Sequence, residues 1–240
     1  MRALCNEEFL GLWESGRRLH ALDRALLAIQ TSFPEAAEEK PADWPLGRRN
    51  QALAQLRTLY FGRQLQGWTV CEKCGEKLEF ELDCGSLLER QQEDGLQAIQ
   101  VRGCTFRLPT SRDLARIADV PEVKAAVLRL LESCRLKDAE ERGARMDGAW
   151  SQEEIEELGE KMSLADPLAE IALFLECPVC KNACEEALDL PAFLWAEVEA
   201  RARRILQEVH VLASNYGWHE SEILALSDTR RAMYLQMVQA

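Results

Sequence analysis

Apolar residues recur at helical intervals near both ends of the chain. In the first part the pattern comprises Phe9, Leu10, Leu12, Trp13, Leu19, Leu22, Leu26 and Ile29. A second run extends from Leu46 to Tyr60, and a third, with near-heptad spacing, extends from Pro191 to Ala213. Such spacing is typical of amphipathic helices. We therefore predict an N-terminal helical segment over residues 1–66 and C-terminal helices over residues 191–240, with core aromatic side chains at Trp13, Tyr60 and Trp68.

The middle of the chain has a different pattern. Apolar and polar residues alternate from Gly95 to Leu108 around Arg102-Gly103, which predicts a β-hairpin with these two residues in its turn. Capping residues, prolines and charge then predict helices that start at Thr110 or Ser111, at Pro121, within the charge-rich residues 137–161 and at Asp166-Pro167. The middle of the chain is therefore predicted to be an inserted hairpin with helices, over residues 91–169.

Two short segments repeat one motif. Cys71-Glu-Lys-Cys74 and Cys177-Pro-Val-Cys180 are each followed by three turn-like residues and by a strand-like run that ends in Leu-Asp. A Cys-x-x-Cys pair places two thiolates on one side of a tight turn, so two pairs supply the four sulfurs of a tetrahedral zinc site. We predict that residues 67–90 and 170–190 form the two halves of a zinc ribbon. One structural Zn²⁺ would be held by Cys71, Cys74, Cys177 and Cys180.

The two pairs lie far apart in the sequence. Roughly a hundred residues separate Cys74 from Cys180, whereas the pairs of a ribbon are usually about 15 to 20 residues apart. The entropy cost of closing a loop grows only logarithmically with its length, so an insertion with its own structure is tolerated. The predicted fold is therefore mainly α with a small β component. It is a helical bundle clipped by a split zinc ribbon. The inserted hairpin and helices are expected to form one compact unit with this bundle.

The remaining cysteines do not follow this spacing. Cys184 aligns with Leu78 of the first repeat, which indicates a small apolar strand residue rather than a ligand. Buried thiols without a metal are predicted at Cys5, Cys104 and Cys134, and Cys84 is likewise not expected to be a ligand. A redox role or a disulfide for the pairs stays open as an alternative, although neither pair opens the βαβ pattern of thioredoxin-like motifs.

Charge and motifs narrow the range of functions. The chain has 41 acidic and 29 basic residues and a formal net charge of −12, which would repel a nucleic-acid backbone. The sequence has no secretory signal and no apolar run near the roughly 18 residues of a transmembrane helix, so a cytoplasmic protein without a membrane span is expected. Motifs for nucleotide binding, serine hydrolysis and zinc proteolysis are absent, so we predict that it is not an enzyme. A nucleic-acid-binding zinc ribbon stays open as an alternative, and a thiol oxidoreductase as a weaker one.

Several short motifs together resemble one family of proteins. They are Leu19-His-Ala-Leu-Asp-Arg-Ala-Leu26, the two Cys-x-x-Cys pairs, Phe106-Arg-Leu-Pro-Thr-Ser-Arg-Asp-Leu114, Val209-His-Val-Leu-Ala213, Tyr216-Gly-Trp218, Ser221-Glu-Ile-Leu224 and Arg230-Arg231-x-x-Tyr234-Leu235. In this order they resemble baseplate hub assembly proteins of contractile phage tails and of phage-tail-like contractile injection systems. The resemblance implies a non-enzymatic role in building the baseplate, either in the finished particle or during its assembly. The implied partners are hub, spike or wedge proteins of such a particle.

The last of these motifs suggests a surface for binding partners. Tyr216 and Trp218 place two large aromatic side chains beside a turn, where they can anchor an interface or pack the last helices onto the bundle. Arg230 and Arg231 begin the final helix and are expected to pair with the acidic residues 153–160 or with a neighbouring protein. Together with Tyr234 of the same motif, these residues form the predicted partner-binding surface.

Overall fold

The computed structural model describes residues 2–88, 98–136 and 150–239. In chain order the helices and strands are α1 (Asn6–Gly16), α2 (Ala21–Ser32), α3 (Leu46–Phe61), β1 (Gln64–Val70), β2 (Lys77–Asp83), α4 (Cys84–Leu88), β3 (Ile99–Val101), β4 (Cys104–Phe106), α5 (Ser111–Ile117), α6 (Val123–Cys134), β5 (Arg135–Leu136), α7 (Gln152–Ala165), β6 (Ala172–Glu176), β7 (Ala183–Ala187), α8 (Leu190–Tyr216), α9 (Glu220–Leu224) and α10 (Asp228–Gln239). Short 3₁₀ turns cover Pro34–Ala37 and Pro41–Asp43. The prediction of a mainly α protein with a small β component is confirmed.

The main hydrophobic core lies among α1, α2, α3 and α8. Its fully buried side chains include Phe9, Ile29, Leu53, Leu56, Leu190 and Ile205. Helix α8 begins where the Asp189 carboxylate accepts a hydrogen bond from the Ala192 amide, and it ends at Gly217 with φ of 68°. A glycine at this left-handed position satisfies the last carbonyls without a Cβ clash. The long helix predicted over residues 191–213 is thus confirmed, extended by a few residues at its C-terminal end.

A second, smaller core belongs to the insertion. Strands β3 and β4 pair antiparallel around Arg102 and Gly103, whose φ values of 56° and 73° suit the tight two-residue turn of a hairpin. The predicted hairpin is confirmed over residues 99–106, while residues 95–97 lie outside the described part of the chain. Strand β5 adds a third strand that the sequence pattern did not predict. The core is closed by α6 and α7 and buries Ile99, Val101, Cys104, Phe106, Leu131, Cys134, Leu158 and Met162.

Buried polar contacts fasten the insertion to the helical bundle. The Gly47 amide at the start of α3 donates a 2.9 Å hydrogen bond to the Asp166 carboxylate, which is buried at the end of α7. The side-chain amide of Asn50 donates to the carbonyl of Leu168 at 2.8 Å. These two contacts place the chain so that it leaves α7 beside α3 and turns towards the second cysteine pair. In both contacts a buried polar side chain has its hydrogen-bond partner, which makes this junction specific as well as stable.

Several expectations for the middle of the chain were only partly right. The charge-rich run is a helix with exposed glutamates over residues 152–165, whereas its residues 137–149 lie outside the described part of the chain. The helix predicted from Asp166-Pro167 is wrong, because a turn and strand β6 lead to the second cysteine pair instead. The apolar run there is short, and its side chains alternate between the two faces of a hairpin. Strand β1 was likewise missed, so the N-terminal helices end at Phe61 rather than near residue 66.

Two hairpins carry the cysteine pairs at their tips. Strand β1 pairs antiparallel with β2, and β6 pairs antiparallel with β7. We call them hairpin 1 (residues 64–83) and hairpin 2 (residues 172–187). Among the described residues, no helix has the length and apolar character that crossing a bilayer requires.

Candidate metal centre

The two hairpin tips have the same backbone hydrogen bonds. In hairpin 1 the Gly75 amide donates to the Cys71 carbonyl at 2.8 Å, and the Cys71 amide donates to the Glu76 carbonyl at 2.8 Å. In hairpin 2 the Lys181 amide donates to the Cys177 carbonyl, and the Cys177 amide donates to the Asn182 carbonyl, both at 2.9 Å. The turn is closed by the same bonds in both halves, so the sequence repeat is a structural repeat.

Each turn needs one residue in the left-handed region, at the position after the second cysteine. Gly75 has φ of 75° and Lys181 has φ of 59°. This conformation costs glycine almost nothing but is unfavourable for a residue with a Cβ. The lysine in hairpin 2 therefore adopts a strained backbone in order to keep the geometry that glycine gives hairpin 1.

The four sulfurs meet between the two tips. The Sγ atoms of Cys71, Cys74, Cys177 and Cys180 all lie within 4.8 Å of one another. The Sγ of Cys71 is 3.6 Å from that of Cys180, and the Sγ of Cys74 is 3.5 Å from that of Cys177. Both close contacts cross from one hairpin to the other. The cluster is therefore shared between the hairpins and is compatible with one bound metal ion.

Burial differs within each pair in the same way. The first cysteine of each pair, Cys71 or Cys177, is buried, whereas Cys74 is exposed and Cys180 is half-buried. Beneath the cluster, Leu78 and Cys184 form a small apolar layer between the hairpins. The cluster thus closes the outer end of a small core.

A polar contact between the hairpins lies beside this core. The hydroxyl of Thr69 lies 3.1 Å from the Glu186 carboxylate and donates to it across the two hairpins. Thr69 occupies one of the inward-facing positions of β1, which alternate with exposed positions along the strand. The hairpins therefore pack through their inner faces as well as through their tips.

The thiol cluster has perturbed acid–base properties. Backbone hydrogen bonds from Cys74 and Lys73 are the main reason that the pKa of Cys71 is lowered to about 6. The Glu76 amide would also lower the pKa of Cys74, but hydrogen bonds with the sulfurs of Cys180, Cys177 and Cys71 raise it to about 12. Crowded sulfurs cannot all hold negative charge unless a cation lies among them. Such a set of thiols suits a cation that binds all four.

The other cysteines do not belong to the four-sulfur cluster, although the Cys184 sulfur lies 4.0 Å from that of Cys71. Burial raises the pKa of Cys184, and its sulfur accepts a 3.5 Å hydrogen bond from the Asn182 side chain. It is buried in the position that Leu78 occupies in hairpin 1, as predicted. The expectation of buried thiols is confirmed for Cys104 and Cys134 but is wrong for Cys5, which caps α1 at the surface.

The predicted partner-binding residues comprise three aromatic residues that contact one another and two arginines that differ in exposure. Tyr216 and Trp218 stack with ring centroids 4.7 Å apart, and Tyr234 meets the Trp218 ring edge-on at 4.8 Å. This aromatic group packs α10 against the end of α8, and Tyr216 remains 38% exposed. Arg230 is exposed.

Arg231 has a different environment. Its side chain is only 4% exposed and forms ion pairs with Glu208 at 2.6 Å and with Asp228 at 2.9 Å. The expected pairing with the acidic residues 153–160 is therefore wrong for Arg231. The pair with Glu208 joins α10 to α8, whereas the pair with Asp228 lies within α10, and together they leave the guanidinium little freedom to meet another molecule.

One pair of surface residues was missed in the sequence. Trp68 and Phe174 each lie three residues before the first cysteine of their hairpin, and they are 62% and 76% exposed. The expectation that Trp68 fills the core is wrong, because the inward positions of β1 alternate with it. Each ring lies opposite a glutamate, Glu79 or Glu185, on the neighbouring strand. Extending the repeat backwards from the cysteines would have identified this pair.

Comparisons with known proteins give no relative. No protein-family model matches the chain, and neither a curated protein nor a solved structure matches it.

Proposed function

We propose that this chain is a non-enzymatic structural protein in which one Zn²⁺ clips hairpin 1 to hairpin 2. The observation that carries the proposal is the convergence of four cysteine sulfurs from two distant parts of the sequence within 4.8 Å. A tetrahedron with zinc–sulfur bonds of about 2.3 Å has sulfurs about 3.8 Å apart. The contacts of 3.5 and 3.6 Å between the hairpins are close to that spacing.

A structural role follows from the donor set. Four protein sulfurs fill a tetrahedral coordination sphere, which leaves no position for a substrate or a reactive water. Two of the sulfurs belong to buried residues, Cys71 and Cys177, beneath which the hairpins pack. The ion would link the chain after α3 to the chain before α8, and so fix the bundle relative to the insertion. Because the unfolded chain does not hold the four cysteines together, the free energy of metal binding would contribute directly to the free energy of folding.

The geometry of the four cysteines favours zinc binding over a thiol–disulfide redox function. Thioredoxin-like activity requires one accessible, low-pKa thiol whose partner lies in the same Cys-x-x-Cys pair. Here the closest sulfur contacts join different pairs, at 3.5 and 3.6 Å. Tetrahedral sites with four sulfurs bind zinc or iron, so elemental analysis of the purified protein decides the metal. A colourless protein with one zinc per chain is expected.

We further propose that the protein acts through protein contacts as a baseplate component of a contractile tail or injection particle. The resemblance of its motifs to baseplate hub assembly proteins carries this part of the proposal. Exposed apolar side chains support a role in protein binding: Trp68, Phe174 and Val179 on the hairpins, and Met233 and Met237 on α10. Isolated apolar residues are normal on surfaces, but the matched pair in the two hairpins is less easily ascribed to chance.

The acidic hairpins argue against nucleic acid as the partner. The exposed Trp68 lies opposite Glu79, and Phe174 lies opposite Glu185. Proteins that stack bases on aromatic rings surround them with positive charge. The chain as a whole has a net charge of −12. A basic or apolar protein surface is a better match for these rings.

Affinity purification from the native host, followed by mass spectrometry, tests the baseplate assignment. Recovery of hub, spike or wedge proteins is the expected result, and a clean isolated protein would contradict it. The double change Trp68→Ala with Phe174→Ala should reduce recovery without lowering thermal stability. A matched control is Leu164→Ala, which removes an 82% exposed leucine from α7, an element that belongs to neither hairpin. Equal recovery with the double variant and the control would exclude the hairpin rings as the contact.

A further inference from the structure

A groove lies where the N-terminal helices meet α8 and α10. Its volume is about 580 Å³, and its lining includes Tyr60, Phe61, Glu197, Arg201, Arg204 and Asp228. The two aromatic residues come from the end of α3, and the two arginines lie one turn apart on α8. The groove is on the helical bundle and takes no residue from the cysteine cluster.

The acidic residues of the groove are already paired with other groups. Glu197 accepts two hydrogen bonds from Arg57, at 3.1 and 2.9 Å. Asp228 accepts a 2.9 Å bond from Arg231 and a 3.4 Å bond from the side chain of Asn6. The negative charge in this groove is therefore largely compensated by arginines that do not line it.

Arg201 has no such partner. Its guanidinium carbon lies 4.5 Å from the centroid of the Phe9 ring, and the residue is half-buried. Within residues 2–88, 98–136 and 150–239, no side chain or carbonyl accepts a hydrogen bond from it. Burial lowers its pKa, while the charge of Asp228 partly offsets that effect. A planar group with five donors is thus held against an aromatic ring, and none of the residues that the structure describes supplies an acceptor to it.

The second arginine adds positive charge at the edge of the groove. Among the described residues, Arg204 approaches an acceptor only at 3.6 Å, from its Nε to Oε1 of Glu208, and its side chain is 68% exposed. Glu208 is shared with Arg231, to which it is bonded at 2.6 Å. Counting Arg57, Arg201, Arg204 and Arg231 against Glu197, Glu208 and Asp228 gives four positive and three negative charges, a local excess of one. That excess stands out in a chain with a net charge of −12.

We propose that this groove binds a carboxylate attached to an apolar or aromatic group, with Arg201 as its main contact. Arginine offers two parallel N–H donors that match the two oxygens of a carboxylate. One carboxylate would balance the local excess of one positive charge, and the rings of Tyr60 and Phe61 would contact its apolar part. The chemistry is that of a small organic acid or of an acidic side chain on a partner protein. The proposal is independent of the metal centre and of the baseplate role.

NMR titration of the full chain with 3-phenylpropionate tests the proposal, with 3-phenylpropionamide as the uncharged isostere. Saturable shifts of the Arg201 and Tyr60 signals are expected with the acid and not with the amide. Arg201→Gln should weaken binding at least tenfold, and Arg201→Lys should weaken it less because it keeps the charge. The matched control is Arg203→Gln, which removes an exposed arginine that pairs with Glu199 on the same helix. Thermal unfolding identifies any variant that has lost its fold.

A second titration distinguishes the two sources of the carboxylate. The probe is the peptide N-acetyl-Phe-Glu-amide, whose only carboxylate is a glutamate side chain. If the peptide binds at least tenfold more tightly than 3-phenylpropionate, a partner's acidic side chain is the ligand; the reverse order indicates a free organic acid. Either order supports a carboxylate site. Linear shifts with both probes, or equal binding by the Arg201→Gln and Arg203→Gln variants, would overturn the proposal.

Discussion

The sulfur of Cys184 lies 4.0 Å from the sulfur of Cys71, so a fifth thiol touches the four-cysteine cluster. Cys184 is buried where hairpin 1 has Leu78, and burial raises the pKa of its thiol. Its position is therefore that of an apolar packing residue, although its chemistry is that of a potential ligand. The distinction between the two roles can be tested directly.

Cys184→Ala is expected to leave one metal ion bound per chain. The change removes a small buried group beneath the cluster and should cost about 1 kcal/mol of stability, as many core truncations do. Elemental analysis gives the metal content, and denaturant unfolding gives the stability. Loss of the metal from this variant, with its fold retained, would make Cys184 a ligand and leave the assignment of the four cysteines incomplete.

The backbone strain in hairpin 2 gives a second prediction. Lys181→Gly should raise the free energy of unfolding by about 0.5–1 kcal/mol, because it relieves a left-handed conformation that disfavours residues with a Cβ. The exposed Lys181–Glu176 ion pair at 3.3 Å contributes little to oppose this gain. The reciprocal change, Gly75→Ala, should lower stability by a similar amount, although nothing lies within 4 Å of the added Cβ. Effects of the same sign in the two variants would contradict the equivalence of the two turns.

The acid sensitivity of the insertion should depend on Asp113. Burial alone would raise its pKa, but hydrogen bonds from Arg107 and Thr110 outweigh that effect and lower the pKa to about 2. Since the pKa is lower in the folded state, the ionised carboxylate adds stability above pH of about 4. This contribution, of about 2 kcal/mol, is lost as the pH falls towards 2.

Asp113→Asn should therefore flatten the dependence of stability on pH between about 4 and 2, and lower stability at neutral pH. The exposed Asp119→Asn serves as a control that changes the same charge near the same helix. Urea unfolding at several pH values measures both effects. Parallel curves for Asp113→Asn and the wild-type protein would mean that this carboxylate does not carry the acid sensitivity.

Substitution of the two adjacent arginines Arg230 and Arg231 should change stability by different amounts. Arg231→Ala removes a buried guanidinium that contacts Glu208 and Asp228, and should cost about 2 kcal/mol. Arg230→Ala changes an exposed side chain and should stay within about 0.5 kcal/mol of the wild-type protein. Thermal unfolding of both variants and of the wild-type protein measures the two changes in stability. A small effect of Arg231→Ala would show that its ion pairs do not hold α10 in place.

The repeat of the cysteine pairs was the most informative part of the sequence. Ligand spacing is local, so Cys71 with Cys74, and Cys177 with Cys180, could be recognised without knowing the fold. The match of Cys184 to Leu78 followed from the same alignment and correctly placed an apolar position. The capping box of Thr110 and Asp113, with the turn at Arg102-Gly103, was also predictable from short-range chemistry.

The features that could not be predicted from the sequence depend on contacts between residues that are distant along the chain. Strand β6 was expected to be helical, because a short apolar run does not distinguish a helix from a strand until its partner β7 is known. Arg231 gave no local sign that α8 would bury it against Glu208. The exposure of Trp68 depends on which face of β1 meets hairpin 2, and strand register fixes that face.

The most direct test of the account is the metal content and thermal stability of the full chain, purified without oxidation or chelators. We predict one zinc per chain, loss of zinc in Cys177→Ser, and a large fall in the unfolding temperature of that variant or of the chelator-treated wild-type protein. The exposed Cys5→Ser is the matched control and should keep both the zinc and the stability. A wild-type protein without stoichiometric metal, or one whose stability does not change when the metal is removed, would contradict the structural zinc site.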